Sequence, residues 1–252
     1  MRAAQVEKVN GVFTSPPYAE QRKKQYGGIA TDKYVEWWNE LQANVRAHLA
    51  NDGSFFVNIK PHCENGERVL YVFDLVLAMQ RQWGWKFIDE LCWRRASLPG
   101  RFPNRFKNYF EPVYHFSPNL KIKFYPDSVK TERTYENPKA SQKKLSGSGS
   151  GMIGQAGGFI TDGAIPSNVL DIWNGEPDET HPAAFPLGLP EFFVKAFSDI
   201  GDTWFDTFLG SGTTIIAAHK NKRRGLGIEF LEKNCADLRT RRKGNRRNAA
   251  PR

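Results

Sequence analysis

Asp206-Thr207-Phe208-Leu209-Gly210-Ser211-Gly212-Thr213-Thr214 lies between an apolar, β-prone run at 203–207 and a run of helical spacing at 213–221. A strand that turns through glycines into a helix is the unit of an α/β layer fold. Gly210 and Gly212 let the backbone pass close to a ligand, with Phe208 and Ser211 beside them, and Thr213 or Thr214 is placed to cap the helix. A helix N-terminus presents free N–H groups that suit a carboxylate. Asp206, ending the strand, suits an ammonium group. The next strand, 225–230, carries Glu229 near its tip, where nucleotide-binding α/β folds hold ribose hydroxyls. The third glycine of the dinucleotide motif GxGxxG is absent. Taken alone, the run also fits a glycine turn in an unrelated α/β protein.

Outward from this run the alternation continues. Residues 9–13 read as a buried strand that meets Ser15-Pro16-Pro17, a proline-fixed loop. Residues 34–49 have helical spacing, with Asp32 as N-cap and Trp37, Leu41, Val45 and Leu49 on one face. A turn at 51–53 leads to a strand at 54–59, a helix at 69–82, and strands at 86–93 and 111–116. A helix at 189–198 precedes the glycine run. The expected architecture is α/β: a mostly parallel sheet with helices on both faces. Composition changes after Tyr125. Residues 126–158 are polar, basic and rich in serine and glycine, including Ser146-Gly147-Ser148-Gly149-Ser150-Gly151, and predict a flexible loop. A last helix is expected at 231–241, followed by a basic tail.

At 252 residues the chain is long enough for one domain with an inserted lobe. Its net charge of +9 favours a polyanionic partner such as nucleic acid. Cys63, Cys92 and Cys235 are widely spaced and form no CxxC, which speaks against a disulfide scaffold or a zinc site, so no metal is expected. No stretch approaches the roughly 20 apolar residues that span a bilayer, and residues 1–8 have no apolar signal core. A cytoplasmic location without membrane contact is the expectation.

Thr14-Ser15-Pro16-Pro17-Tyr18 has a different chemistry. An exocyclic amine of cytosine or adenine is a poor nucleophile, because its lone pair is delocalised into the ring. It must be held so that the lone pair is freed and aimed, and positioning and hydrogen bonding carry that work. The Ser15 hydroxyl and the Pro16 carbonyl can accept the two amine protons. Pro16 and Pro17 stiffen the loop and remove competing N–H donors. Tyr18 can stack on a base taken out of the duplex. Without its context the run also fits a plain proline turn with Tyr18 as a packing residue. Arg22, Lys23 and Lys24 follow closely and suit phosphates. Lys130, Arg133, Lys139, Lys143 and Lys144, with Asn137 and Gln142, lie in the middle region and suit phosphates and base edges. Arg101 and Arg105, beside Phe102 and Phe106, fit either a basic-aromatic contact or ordinary surface and core.

Taken together, the two runs resemble the amino-group DNA methyltransferases of restriction-modification systems, in the permuted cytosine-N4 branch. There the catalytic loop comes first, the target-recognition region sits in the middle and the S-adenosylmethionine (SAM) segment comes last. The resemblance implies a SAM-dependent methyltransferase (Rossmann-like) fold in permuted order with a small inserted recognition region. Its divisions would be residues 1–125 for the catalytic part, 126–180 for recognition, 181–241 for the SAM-binding part and 242–252 for the tail. Residues 14–19 and 21–27 resemble the catalytic loop and its basic extension, and 165–170 the run leading back from recognition. Residues 181–186 resemble the first cofactor-contacting segment, in which Phe185 and Pro186 would border SAM. The implied partners are duplex DNA and a companion restriction endonuclease, and an unpaired sheet edge, if present, suits a homodimer. Serine before Pro-Pro-Tyr favours cytosine N4, with adenine N6 as the alternative and a silent DNA-binding relative as a third reading.

The chain departs from the family pattern at three places. Thr207 replaces the usual proline of Asp-Pro-Phe. Lys60 follows the 55–59 run where small or acidic residues are common. The Gly-Asp strand that approaches the SAM adenine is not found upstream of Val9, which predicts a chain short at its N-terminus, an incomplete adenine pocket and an unpaired sheet edge.

Overall fold

Val12 and Phe13 are neighbours in the chain, yet each belongs to a different core. Successive side chains of a strand point to opposite faces, and a sheet apolar on both faces needs helices on both. The computed structural model, which describes residues 8–20, 28–95, 101–131, 163–172, 185–230, 232 and 235, shows that arrangement. Helices α1 (Tyr34–His48) and α2 (Tyr71–Arg81) cover one face. There Tyr34, Trp38, Val45, Tyr71 and Met79 pack on Val12, Phe55 and Val57. Helices α3 (Gly188–Ala196) and α4 (Thr213–Lys220) cover the other, where Leu189, Phe193, Ala217 and Ala218 pack with Phe13, Phe56 and Trp204.

The strands are β1 (Val9–Thr14), β2 (Leu49–Asn58), β5 (Lys86–Arg94), β6 (Phe110–Ser117), β7 (Val169–Leu170), β8 (Thr203–Asp206) and β9 (Arg224–Gly227), ordered β7-β5-β6-β2-β1-β8-β9. A small hairpin, β3 (Cys63–Glu64) and β4 (Glu67–Arg68), stands apart. Within the seven described strands of the main sheet, β6 runs against its neighbours β2 and β5 and the other pairings are parallel. From β1 the chain moves one way to β2, and from β8 it moves the other way to β9. The divide between β1 and β8 is the topological switch point at which open α/β sheets bind ligands.

Several local expectations are corrected. Lys33, not Asp32, caps α1, because 31–33 form a 3-10 turn that sets the helix start one residue later. The buried face of α1 runs through Tyr34, Trp38, Gln42 and Val45, with Trp37 and Leu41 only partly covered. Gln42 is tolerated there because its Oε1 accepts the Trp85 indole N–H at 2.8 Å. Strand β9 ends at Gly227, so Glu229 lies beyond it. The expected loop at 126–158 begins as a packed turn, Pro126–Val129: the Tyr125 N–H donates to the Ala196 carbonyl at 2.7 Å, and Val129 joins the core under α3. The span given to recognition, 126–180, also rejoins the sheet, as β7 pairs with Cys92 and Trp93. The rest of 132–158, the last helix at 231–241 apart from the helical Glu232 and Cys235, and the tail lie outside the described residues.

Candidate active site

Strands β1 and β8 lie side by side, with Gly11 paired to Trp204 and Val12 to Phe205. The Trp204 ring lies so close that a Cβ at Gly11 would sit 2.5 Å from it, so only glycine fits this contact. Parallel neighbours end at the same edge of the sheet. The Ser-Pro-Pro-Tyr loop and the glycine loop therefore leave it together.

The junction is made by Thr14 and Asp206. The Thr14 hydroxyl donates to Asp206 Oδ1 at 2.9 Å. Having spent its proton there, it accepts from the Thr207 hydroxyl at 2.9 Å. Thr207, which departs from the family's proline, thus supplies a hydrogen bond that proline lacks. The Phe208 N–H also donates to Oδ1, at 3.0 Å, and the Thr214 hydroxyl donates to Oδ2 at 2.7 Å. Asp206 is 1% exposed, and burial lifts its carboxyl to about 6 against the pull of these donors. This corrects the expected role of Asp206 as an ammonium ligand: its carboxylate faces inward and braces the two loops. It also corrects the capping expectation. Neither Thr213 nor Thr214 caps α4; Gly212 does so, at φ 78°.

The glycine loop is closed from the other side. The Gly210 N–H donates to Glu229 Oε2 at 2.7 Å, the Leu209 N–H to the Ile228 carbonyl at 2.9 Å, and Ser211 meets Thr213 at 2.9 Å. Gly210 has a positive φ of 51°, so the loop bends where side chains are disfavoured. The Phe208 and Trp37 rings lie 5.9 Å apart. Phe185 packs edge-on against Phe13 at 5.1 Å, and the Pro186 carbonyl accepts the Leu189 N–H at 3.0 Å, which brings this segment to the end of β1.

In the Ser-Pro-Pro-Tyr loop Pro16 is buried, while Ser15, Pro17 and Tyr18 are partly covered. The Tyr34 hydroxyl donates to the Pro17 carbonyl at 2.8 Å. The Tyr18 hydroxyl donates to Glu111 Oε2 at 3.3 Å. Burial first, then the Glu111 charge, pushes the Tyr18 phenol well above its ordinary value, so it stays protonated. Glu111 itself pairs with Lys60 and Arg95. Sequence reasoning marked Lys60 as a departure without a role, and missed Thr14, Tyr34, Arg95 and Glu111 as site residues. The one available signal was the placing of charged residues directly beside apolar strands, at 60, 95 and 111.

The expected DNA contacts divide. Arg22, Lys23, Lys24, Arg133, Lys143 and Lys144 lie outside the described residues. Lys130 is within them, and its ammonium pairs with Asp127 at 2.8 Å. The Arg105 guanidinium sits over the Phe102 ring at 3.6 Å, while Phe106 is exposed. Among the described residues no group of His, Cys, Asp and Glu is placed to hold a metal ion, and no helix is long and apolar enough to cross a membrane.

A family model described as DNA methylase matches residues 9–239. The chain belongs to this DNA methylase family. Among its relatives, the Type II methyltransferase M.PvuII of Proteus hauseri is 30% identical over 89% of this chain and 75% of its own length. The Type II methyltransferase M.ScaI of Streptomyces caespitosus is 28% identical over 87% of this chain and 70% of its own. The solved PvuII DNA methyltransferase, described as cytosine-N4-specific, superposes with a TM-score of 0.70 at 27% identity, covering 93% of this chain and 79% of the other. M1.HpyAVI, solved as a SAM complex, shares the methylase fold at a TM-score of 0.56 and 19% identity, over 93% and 90% of the two chains.

Proposed function

We propose that this DNA methylase transfers a methyl group from SAM to the N4 amine of a cytosine flipped out of duplex DNA. The observation that carries the reading is the Thr14–Asp206 junction, which holds Ser15 to Tyr18 beside the glycine loop. The glycine loop fits the methionine and ribose ends of SAM: its bends are glycines, α4 has no side chain bonded across its N-terminus, and the Glu229 carboxylate lies against it. Bound there, SAM supplies a methyl group on a sulfonium centre.

The chain's own residues present the amine. The Ser15 hydroxyl and the Pro16 carbonyl accept its two protons, and draw its lone pair out of conjugation with the ring. The Tyr34 bond to the Pro17 carbonyl fixes the loop from behind. The Tyr18 ring stacks on the base face. With SAM bound, the N–C bond would form as the S–C bond breaks and S-adenosylhomocysteine leaves, and Ser15 would relay one amine proton to solvent, its hydroxyl giving up its own proton as it takes the amine's. Serine at position 15 and the likeness to the cytosine-N4-specific PvuII enzyme support cytosine over adenine. A companion endonuclease and a cytoplasmic setting go with the restriction-modification reading, and the exposed Leu226 and Ile228 at the β9 edge support a homodimer.

The test is mass analysis of nucleosides from DNA treated with the chain and SAM. N4-methylcytosine is expected. N6-methyladenine alone overturns the base assignment, and no methylation with SAM bound overturns the activity in favour of a silent DNA binder.

A further inference from the structure

Glu111 stands at the start of β6, opposite Trp93 of β5. Because β6 runs backwards, its first residues lie at the edge where β2 and β5 finish, beside Lys60 and Arg95. The Glu111 side chain is 5% exposed and divides its oxygens between two tasks. Oε1 takes both the Lys60 ammonium and the Arg95 guanidinium, the latter at 2.6 Å. Oε2 takes the Tyr18 hydroxyl at 3.3 Å. Burial opposes the charge, but the two cations overcome it and hold the carboxyl below its ordinary range. The cations are themselves fixed: the Tyr71 hydroxyl donates to the Lys60 carbonyl at 2.9 Å, and the Arg95 guanidinium lies 4.9 Å over the Trp93 ring.

A largely buried ion triad is a poor way to stabilise a fold, since desolvation offsets most of the attraction. Its geometry suits orientation instead. An ionised carboxylate only accepts, so the Tyr18 hydroxyl has one direction in which to donate. That bond fixes the rotation and tilt of the ring.

We propose that Lys60, Glu111 and Arg95 form a positioning device for Tyr18, which sets the plane on which the flipped cytosine stacks. This rests on the methyl-transfer reading above. It also accounts for Lys60, the departure that the family pattern leaves open. Tyr18 touches the base; the other three act through it.

The test is a double-mutant cycle on wild type, Tyr18→Phe, Glu111→Gln and the pair, using duplex DNA with 2-aminopurine at the target position for binding and a cytosine target for turnover. Each single variant should lower kcat about tenfold, and the pair should be no slower than the slower single variant, because both remove one interaction. The KM for SAM should stay unchanged, and the 2-aminopurine signal on binding should fall in both single variants. Lys60→Met should resemble Glu111→Gln, and Lys60→Arg should restore most of the rate. Losses that multiply to about a hundredfold overturn the proposal. Should Glu111→Gln fail to fold, Lys60→Met paired with Tyr18→Phe runs the same cycle. A wild type that does not methylate overturns the functional reading alone; the Tyr18–Glu111 coupling is then read from urea midpoints of the four proteins, where additive shifts overturn it.

Discussion

The Thr14 hydroxyl lies 2.9 Å from Asp206 Oδ1, so the residue before the Ser-Pro-Pro-Tyr loop is bonded to the residue that ends the neighbouring strand. The Ser-Pro-Pro-Tyr loop and the glycine loop, which on the proposed reading face each other across the transferred methyl group, are thereby fixed to one another by a buried bond. Thr14→Val should cost about 1–3 kcal/mol in urea unfolding, since it leaves a buried acceptor short of a donor. Asp206→Ala should cost more, because Thr14, Thr214 and the Phe208 N–H all lose their acceptor. A Thr14→Val loss within about 0.5 kcal/mol, the size of a surface change, would contradict the strut.

On the proposed reading, Glu229, whose Oε2 lies against the glycine loop, is the carboxylate that meets the ribose of SAM. Glu229→Ala should weaken SAM binding about tenfold to a hundredfold, the value of a charge-assisted hydrogen bond. The variant also loses its bond to the Gly210 N–H, so a matching loss of loop order is expected. Calorimetric titration decides the point, and unchanged affinity removes Glu229 from the site.

Two buried groups give the stability opposite dependences on pH. His115 stacks on Phe56 at 4.2 Å, and burial lowers its value from 6.5 to about 3. The unfolded chain binds the extra proton, so this contribution is full above 6.5 and is lost as pH falls. Asp206 is raised from 3.8 to about 6. Its contribution is full below 3.8 and is lost as pH rises through about 6. Between about pH 6 and 4 the two nearly cancel. His115→Phe should therefore gain stability on acidification across that window, and Asp206→Asn should lose it, the two diverging by a few kcal/mol. Urea unfolding at three pH values checks this, and parallel profiles for the two variants would contradict it.

Much of the layer order was legible in the sequence, because apolar runs of strand length alternated with runs of helical spacing. Strand direction was not. Residues 111–116 read as a strand in either sense, and periodicity carries no sign, so the reversal of β6 came only with its partners. β7 is two residues long and has no pattern to read. Within the site, the Ser-Pro-Pro-Tyr and glycine runs stood out because their residues are unusual locally. The struts did not. Thr14, Lys60, Arg95 and Glu111 are ordinary residues whose meaning lies in partners far away in the chain, and Asp206 was visible as an acid but not as one turned inward by two threonines.

DNA affinity should fall steeply with salt, because a net charge of +9 implies release of counterions from phosphates. A slope near zero in a plot of log affinity against log salt would contradict that. Replacing residues 132–158 by a neutral linker should abolish site preference while SAM still binds. The exchange starts at 132 because Pro126–Val129 is packed against the fold. Retained site preference would put recognition elsewhere.

The neighbourhood of β1 and β8 also bears on how the protein is made. β2 follows β1 closely in the chain, but the other edge of β1 waits for β8, and at translation rates of about 5–20 residues per second that wait is about 10–40 s. During that time a strand destined for the middle of the sheet has an open side that invites pairing with other chains. The bond between Thr14 and Asp206 can close only after β8 is made, so the nascent protein joins its Ser-Pro-Pro-Tyr loop to its glycine loop after most of the described helices and strands have been synthesised.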